Sequence, residues 1–309
     1  MGRKNKIVIL KKVLSKKIQR NSPCPCKSLK KYKNCCLNKE NKQSIKEEYF
    51  EKYNIVLKDS QQIQGIKECG KLLISILDDV EKIIKPGITT DDINTFVHDQ
   101  TIKANAIPAP LNYKGFPKSV CVSVNEVICH GVPGKRVLKD KDIVNVDITP
   151  ILNGYYADAS RTFFVGTPTK QGEKIVSIAA QSLQKGIQVV KPGATTGDIG
   201  HAIQTFAESY NCSVVREYVG HGTGLKFHEQ PQIMHVGRPN QGIPLVQGMV
   251  FTIEPMINLG SKELRVLDDK WTVVTLDNSL SAQFEQTILV THDGWESLTP
   301  YSIDKLLQN

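Results

Sequence analysis

Residues 84–93 read IKPGITTDDI, and residues 190–199 repeat that pattern as VKPGATTGDI, 106 positions further along the chain. In each copy a Lys-Pro-Gly stop ends an amphipathic helix, and a Thr with an Asp marks the start of the next helix. Strand-like sequence follows both copies. Two copies are too few for a solenoid. We therefore predict an α+β domain with two similar halves and a site between them.

Charge divides the chain near residue 50. Residues 1–50 hold 15 Lys and Arg against 3 Asp and Glu, so their formal charge of +12 exceeds the +9 of the whole 309-residue chain. This segment has few large apolar side chains and needs a staple such as a metal to fold. We predict a basic zinc-knuckle extension over residues 1–50 and one larger domain over residues 51–309.

The sequence carries no signal for export or membrane insertion. The apolar run from Ile7 to Leu10 is shorter than the core of a signal peptide, and no run reaches the roughly 18 apolar residues of a membrane span. Eight cysteines are too few for a disulfide scaffold of this length. We expect a cytoplasmic protein without a membrane partner.

A hairpin pattern spans residues 142–165, DIVNVDITPILNGYYADASRTFFV. The central Asn-Gly pair is the strongest short signal for a two-residue turn. Such a turn places Asp158 opposite Thr149 and makes Asp147 and Asp158 diagonal neighbours, about 7 to 8 Å apart in the backbone. A divalent metal would relieve the repulsion between these buried carboxylates. Two exposed aspartates on an edge hairpin are the alternative.

Three further segments place an acid or an imidazole within apolar, strand-like sequence. They are YVGHGTG around His221, VFTIEPM around Glu254 and QFEQTILV around Glu285. A lone charged residue in such a run needs a partner. With Asp147 and Asp158 they form a set of four carboxylates and one imidazole. This set suits a pair of Mn, Fe(II), Co or Zn ions better than a structural zinc–thiolate site.

The chain resembles the type I methionine aminopeptidases of the pita-bread fold. The resemblance runs from about Lys67 to Leu298 and includes KSVCVSVNE at residues 118–126 and SLSAQFE at residues 279–285. It implies a pseudo-two-fold pita-bread domain that binds two divalent metal ions per chain. It also implies one role for each donor: Asp147 chelates one ion, and His221 and Glu254 bind the other. Asp158 and Glu285 bridge the two ions.

The implied reaction is removal of the initiator methionine from nascent proteins whose second residue is small. A metal-bridging hydroxide attacks the first peptide carbonyl. Glu254 acts as general base, His228 stabilises the oxyanion, and His130 positions the scissile amide. The other four histidines are interpreted as structural: His98, His201, His235 and His292.

The same resemblance implies two further groups of binding residues. An apolar pocket for methionine, whose sulfur packs well against aromatic rings, is lined by Tyr113, Phe116, Cys121, Phe227 and Trp271. A monovalent cation, Na⁺ or K⁺, binds at Asn125, Val127 and Ser281. On the residues alone, an ordinary loop with satisfied polar groups explains this second group nearly as well.

Spacing separates this chain from related subfamilies. Type II enzymes carry a helical insertion between the histidine and the first glutamate ligand, whereas His221 and Glu254 are only 33 positions apart here. Prolidases and aminopeptidase P have a much larger domain before the ligands. A catalytically silent relative that only binds ribosomes is the rival interpretation. Such relatives lose metal ligands, and this chain retains all five donors.

Four cysteines crowd into the segment CPCKSLKKYKNCC, and they are Cys24, Cys26, Cys35 and Cys36. Four thiolates at this spacing can enclose one structural zinc ion, and the surrounding lysines favour the thiolate form. The pattern resembles the SEC-C zinc motif at the C-terminal end of the preprotein translocase ATPase. Unliganded cysteines in a disordered basic tail are the alternative.

The basic extension predicts a polyanionic partner. Processing of nascent peptide N-termini takes place on the ribosome, and a positive module raises the rate of encounter with it. Tyr32 is the main aromatic candidate for base stacking in this segment, so we expect no sequence-specific nucleic acid binding. We expect the chain to act as a monomer.

Overall fold

The computed structural model describes residues 19–24, 28–34 and 44–303, and the chain divides into two compact units, Met1–Glu51 and Lys52–Asn309. The division lies one residue beyond the boundary predicted between residues 50 and 51. Within the described residues, no helix combines the length and the apolar character that crossing a membrane requires.

The first unit contains the start of the predicted zinc motif. Pro23 forms an antiparallel bridge with Lys31, and a 3-10 turn follows at Tyr32–Asn34. Cys24 is buried, and its backbone N–H donates to the carbonyl of Lys30 at 2.9 Å. The remaining predicted zinc ligands lie outside the described residues, and they are Cys26, Cys35 and Cys36.

Four of the five helices in the described part of the chain flank the two predicted Lys-Pro-Gly stops, whereas the first helix, Ile45–Tyr53, was not predicted. The helices are α1 Ile45–Tyr53, α2 Ser60–Ile83, α3 Thr90–Lys103, α4 Lys170–Gln188 and α5 Thr196–Ser209. The apolar face of α2 is buried through Ile66, Leu73 and Val80, which recur at helical spacing. Helix α2 ends before the first Pro-Gly turn, and α4 ends before the second.

The strands are short and form antiparallel ladders. They are β1 Ile107–Pro108, β2 Cys121–Val124, β3 Val127–Cys129, β4 Ile143–Ile148, β5 Pro150–Leu152, β6 Tyr155–Tyr156, β7 Ala159–Phe164, β8 Ser213–Val214, β9 Gly220–Gly222, β10 Glu229–Ile233, β11 Val250–Ile253, β12 Met256–Asn258, β13 Leu264–Val266, β14 Val273–Thr275, β15 Ser281–Gln283, β16 Gln286–Val290 and β17 Trp295–Ser297. Two sheets carry the site, β2-β4-β7 and β10-β9-β11-β16-β17. The other sheets are β1-β5-β6, β15-β12-β8 and β13-β14-β3.

The two copies of the repeated sequence form the same turn. Gly87 and Gly193 have left-handed φ values of +98° and +88°, which disfavour a side chain at either position. Gly87 donates its N–H to the carbonyl of Leu138 at 2.8 Å, and Gly193 donates to that of Leu245 at 3.0 Å. The acceptors are 107 positions apart, so the symmetry extends beyond the repeat into the sequence before β4 and β11.

Matching caps start the second helix of each half. Thr89 accepts a hydrogen bond from the backbone of Asp92, whose carboxylate accepts the Thr89 N–H in return. Thr195 and Asp198 make the same reciprocal capping box at the start of α5. These caps satisfy N–H groups that a helix terminus leaves free. The predicted duplication is therefore confirmed at the level of individual hydrogen bonds.

The predicted register of the hairpin is also confirmed. Asp147 of β4 pairs with Ser160 of β7, and the inner pair β5–β6 keeps the same register through Ile151 and Tyr156. The hydroxyl of Thr149 donates to Asp158 Oδ1 at 2.6 Å, across the gap between the two ladders. The two-residue turn thus brings Asp147 and Asp158 to neighbouring positions.

Candidate metal centre

Three donor side chains from separate strands meet in the interior of the second unit. One ligand atom from each of Asp158, His221 and Glu285 lies within 4.8 Å of the other two. Asp158 immediately precedes β7, His221 lies in β9, and Glu285 immediately precedes β16. The two carboxylates are only 3% and 2% exposed. A buried oxygen–nitrogen cluster of this kind can hold a metal ion.

Glu254 and Asp147 complete the predicted donor set. The Nε2 atom of His221 lies 3.7 Å from Glu254 Oε1 and 3.7 Å from Asp158 Oδ2. The carboxyls of Asp147 and Asp158 are close enough to hydrogen bond to one another. All five predicted donors are therefore adjacent. Asp147, His221 and Glu254 are mostly buried but keep some exposure to solvent.

The four carboxyls resist ionisation in this arrangement. Burial raises the pKa of Asp147 to about 7, and burial with repulsion from neighbouring carboxylates holds the pKa of Asp158 well above its ordinary value. The same two causes raise the pKa of Glu254 and of Glu285. Divalent cations would offset both causes. The donor chemistry therefore fits a dinuclear metal centre.

The imidazole of His221 presents Nε2 to the carboxylates. Its Nδ1 atom lies 3.0 Å from the carbonyl oxygen of Gly222, which assigns the ring proton to Nδ1. Burial lowers the pKa of His221 to about 4, so the ring is neutral near pH 7. The lone pair on Nε2 is therefore available to a metal, and the backbone carbonyl fixes the tautomer.

Three residues that sequence reasoning missed hold Glu254. Thr252 donates to Glu254 Oε1 at 2.9 Å, and Gln283 donates to Glu254 Oε2 at 3.4 Å. His235 accepts the backbone N–H of Glu254 on its Nε2 at 3.2 Å, so it contacts the site directly. Thr252 could have been found from strand alternation, because it precedes Glu254 by two positions. No local signal pointed to the contact of His235.

Aromatic rings border the centre on the side of His228. The ring of His228 lies 4.1 Å from the ring of His221 and stacks on Tyr113 at 5.2 Å between centroids. Phe227 lies 4.8 Å from Tyr113 and 6.4 Å from His221. Desolvation, and then the nearby imidazole of His221, lower the pKa of His228. The segment between Gly224 and Glu229 thus brings two predicted site residues to the metal donors.

A second group of rings surrounds His130. Trp271 packs edge-on against Phe116 at 5.2 Å and lies 6.2 Å from His130. Cys121 of β2 pairs directly with Asp147 of β4. Burial lowers the pKa of His130 to about 4. Among the residues predicted to line a methionine pocket, Phe227 and Cys121 therefore lie beside metal donors. Tyr113 packs beside Phe227, and Phe116 and Trp271 form the group near His130.

The predicted cation-binding residues lie together at a strand connection. The carbonyl of Asn125 accepts the N–H of Ser281 at 2.9 Å, and Val127 begins the adjacent strand β3. The Asn125 side chain donates to Asp142 and accepts the N–H of Ile143, so its amide is already used within the protein. The buried hydroxyl of Ser281 has no hydrogen-bond partner among the described residues. A monovalent cation there stays a prediction.

Residues 64–292 match the model of metallopeptidase family M24. The chain belongs to metallopeptidase family M24. Over 246 residues it is 53% identical to the methionine aminopeptidase A of Synechocystis sp., a match that covers 79% of this chain and 97% of that protein. Residues 20–38 match the SEC-C motif.

The fold of this chain is also similar to that of solved structures. The methionine aminopeptidase of Rickettsia prowazekii superposes with a TM-score of 0.79 at 48% identity, covering 80% of this chain and 100% of that chain. The prolidase of Pyrococcus horikoshii superposes with a TM-score of 0.63 at 22% identity, covering 80% and 64%, and shows a likeness of fold alone. These neighbours confirm the predicted pita-bread fold.

Proposed function

We propose that this M24 metallopeptidase is a type I methionine aminopeptidase, which removes the initiator methionine from nascent proteins with a small second residue. The observation that carries the proposal is the meeting of Asp158, His221 and Glu285 within 4.8 Å, in a chain 53% identical to a methionine aminopeptidase. The short connection between His221 and Glu254 supports type I.

We assign two divalent ions to the centre. Asp147 would hold one ion, His221 and Glu254 the other, and Asp158 and Glu285 would bridge them. When bound, such ions polarise a peptide carbonyl and lower the pKa of water. Co, Mn, Fe(II) and Zn all suit these oxygen and nitrogen donors, and availability in the cell selects among them.

Glu254 is our candidate for the general base. Hydrogen bonds from Thr252 and Gln283 hold its carboxylate in one orientation, with Oε1 3.7 Å from His221 Nε2. A carboxylate that binds the metal lies within reach of water bound there, which suits Glu254 to accept its proton. Glu254 would take a proton from the attacking water and return it to the leaving amine.

The two predicted imidazoles would bind the reacting amide. His228 and His130 both have lowered pKa values, chiefly because of desolvation, so each is neutral near pH 7 and has one N–H to donate. His228 would donate to the oxygen that becomes negative, and His130 would orient the scissile amide. The rings of Tyr113, Phe227 and Trp271 would receive the methionine side chain, together with Phe116 and Cys121.

Turnover of a Met-Gly-type peptide by the full chain tests this function. We expect release of methionine in the presence of added Mn²⁺ or Co²⁺, loss of release with a chelator, and much slower release of a bulky or charged first residue. Metal analysis should find two ions at the centre and one zinc that is lost when residues 1–50 are deleted. A chain that holds both central ions yet releases no methionine would favour the catalytically silent, ribosome-binding alternative.

We further propose that the basic first unit binds one structural zinc and docks the enzyme on the ribosome in the cytoplasm. The +12 charge of residues 1–50 and the match to the SEC-C motif support this role. Co-sedimentation with ribosomes should weaken steeply with salt and disappear when residues 1–50 are deleted. Salt-insensitive sedimentation, or sedimentation unchanged by the deletion, would contradict it.

Oligomeric state is a separate proposal. All five metal donors come from one chain, which supports an active monomer, and a monomeric mass in solution at working concentrations tests it. An active dimer whose dissociated subunits lose turnover would contradict it.

A further inference from the structure

The chain after β17 contacts the backbone beside two of the metal donors. We call residues 299–301 the C-terminal strap. The hydroxyl of Tyr301 lies 2.9 Å from the carbonyl oxygen of Ser160 and 3.0 Å from that of Glu285. The Glu285 N–H donates to the same Ser160 carbonyl at 3.1 Å. One hydroxyl therefore links the strand that follows Asp158 to the residue Glu285 itself.

Thr299 makes a second link to the same place. Its hydroxyl oxygen accepts the N–H of Thr287 at 2.9 Å. The hydroxyl of Thr287 accepts the N–H of Asp158 at 3.0 Å and donates to the Asp158 carbonyl at 2.8 Å. Thr287 and Thr299 are fully buried. A continuous chain of hydrogen bonds thus runs from the strap to the backbone of Asp158.

The ring of Tyr301 is held independently of its hydroxyl. The Arg161 guanidinium lies 5.3 Å from the Tyr301 ring centroid, and Arg161 Nη2 bonds to Asp78 Oδ1 at 2.7 Å. Burial raises the pKa of Tyr301, so its hydroxyl keeps the proton that it shares between the two carbonyls. A phenylalanine at this position would keep the ring contact and lose only the hydrogen bonds.

We propose that Thr299 and Tyr301 are positioning residues that set the spacing of Asp158 and Glu285, and through it the affinity of the centre for divalent metal. This inference rests on the proposed function. Metal–ligand distances tolerate changes of only about 0.2 Å, so a small backbone shift at either carboxylate weakens binding. Loss of partners that orient metal ligands typically costs about 10- to 100-fold in metal affinity.

Binding of Co²⁺ to the full-length Tyr301→Phe variant tests the inference. We expect the dissociation constant from calorimetry to rise about tenfold, and the visible absorption spectrum of bound Co²⁺ to change because the ligands shift. The control is Tyr210→Phe at a surface position, where the residue is 45% exposed and packs on Phe206. The control should retain the wild-type constant and spectrum.

Two outcomes separate positioning from mere stabilisation. A variant whose metal-free protein unfolds at a lower temperature, but whose Co²⁺ affinity and spectrum stay within twofold of wild type, would overturn the inference. Thr299→Val removes the second link and should shift the same two measurements in the same direction. If the unmodified chain bound no Co²⁺, the proposed function would fail together with the inference, whereas equal binding by wild type and both variants would sink the inference alone.

Discussion

The two halves of the M24 domain share a scaffold but differ in what the equivalent strands carry. Strands β2-β4-β7 of the first half correspond to β9-β11-β16 of the second. The central strand presents Asp147 in one half and is followed by Glu254 in the other. The strand beside it carries Cys121 in the first half and His221 in the second.

This difference gives the metal centre two chemically distinct sides. Burial, together with nearby Asp147, holds the pKa of the Cys121 thiol well above its ordinary value, so the thiol stays protonated and is a poor metal ligand. His221 is neutral and presents a free nitrogen. A symmetric scaffold thus brings carboxylates together from both sides, and the difference in the neighbouring strand would make the two proposed metal positions unequal.

Substitution of the two equivalent acids, Asp147 and Glu254, should give the largest difference between the halves. We expect Glu254→Gln to lower kcat/KM for a Met-Gly-type peptide by about 10³ even at saturating metal, because the proposed base is lost. Asp147→Asn should act mainly by raising the dissociation constant of one metal ion. Activity titrated against Mn²⁺ for each variant distinguishes the two effects. Identical titration curves would mean that the halves contribute equivalently.

A buried ion pair anchors the loop of the second half that carries His228. Lys58 and Glu229 have side chains only 1% and 8% exposed, and Glu229 also accepts the N–H groups of Leu225 and Lys226. Lys58→Met leaves a buried carboxylate unpaired and should lower the free energy of unfolding by about 3 to 5 kcal/mol. Urea denaturation measures this loss.

The double variant Lys58→Met, Glu229→Gln is the matched control for this pair. It removes the unpaired charge and keeps an acceptor for the two backbone N–H groups, so it should recover most of the stability. In the first half, the segment after His130 is held instead by the hydrogen bond from Val122 to Gly131. If the double variant were as unstable as the single one, the free energy of unfolding would depend on the ion pair itself and not on the uncompensated charge.

Metal should stabilise the domain more at alkaline than at acidic pH. In the metal-free protein, consider a carboxyl whose pKa is higher in the folded state than in the unfolded state. Its contribution to the free energy of unfolding is fully present when the pH is below its ordinary pKa of about 4. That support is lost as the pH rises through the raised value, which is about 7 for Asp147. Bound metal reverses the loss once the carboxyls ionise.

We therefore expect the increase in Tm on adding Mn²⁺ to be larger at pH 8 than at pH 6. At roughly 100 times the dissociation constant, binding contributes about 2.7 kcal/mol. Asp147→Asn should reduce the difference between the two pH values. An increase in Tm that is independent of pH would contradict the view that protons and metal compete for the carboxyls.

The helix caps should show the least difference between the halves. Thr89→Ala and Thr195→Ala each remove one capping box and should each lower the free energy of unfolding by about 1 kcal/mol. Equal losses, measured by urea denaturation, would sharpen the view that the scaffold is symmetric. A loss at one position alone would show that surrounding contacts, and not the cap, determine helix stability there.

Much of the scaffold could be predicted because local chemistry sets it. The Asn153-Gly154 turn admits two residues, which fixes the register of every pair outward to Asp147 and Ser160. The Pro-Gly stops and Thr caps bound the repeated helices for equally local reasons. Roles for the donor and pocket residues came from the family resemblance, and these roles stay predictions until the variants are measured.

The contacts that support the site could not be predicted in this way. His235 meets Glu254, and Lys58 meets Glu229, across sequence separations of 19 and 171 residues. Tyr301 reaches the carbonyl of Ser160 across 141 residues. A hydrogen bond between residues so far apart in sequence depends on the tertiary fold, and it cannot be predicted from side-chain periodicity.

By itself the sequence determined the duplicated helix turns, the hairpin register and the five candidate donor residues, because turn chemistry, capping and alternation act between residues close along the chain. The tertiary structure alone decided that Asp158, His221 and Glu285 converge, and that Thr252, Gln283 and the C-terminal strap hold their surroundings. Convergence requires separate strands to pack together, and only burial in a common core brings about that packing.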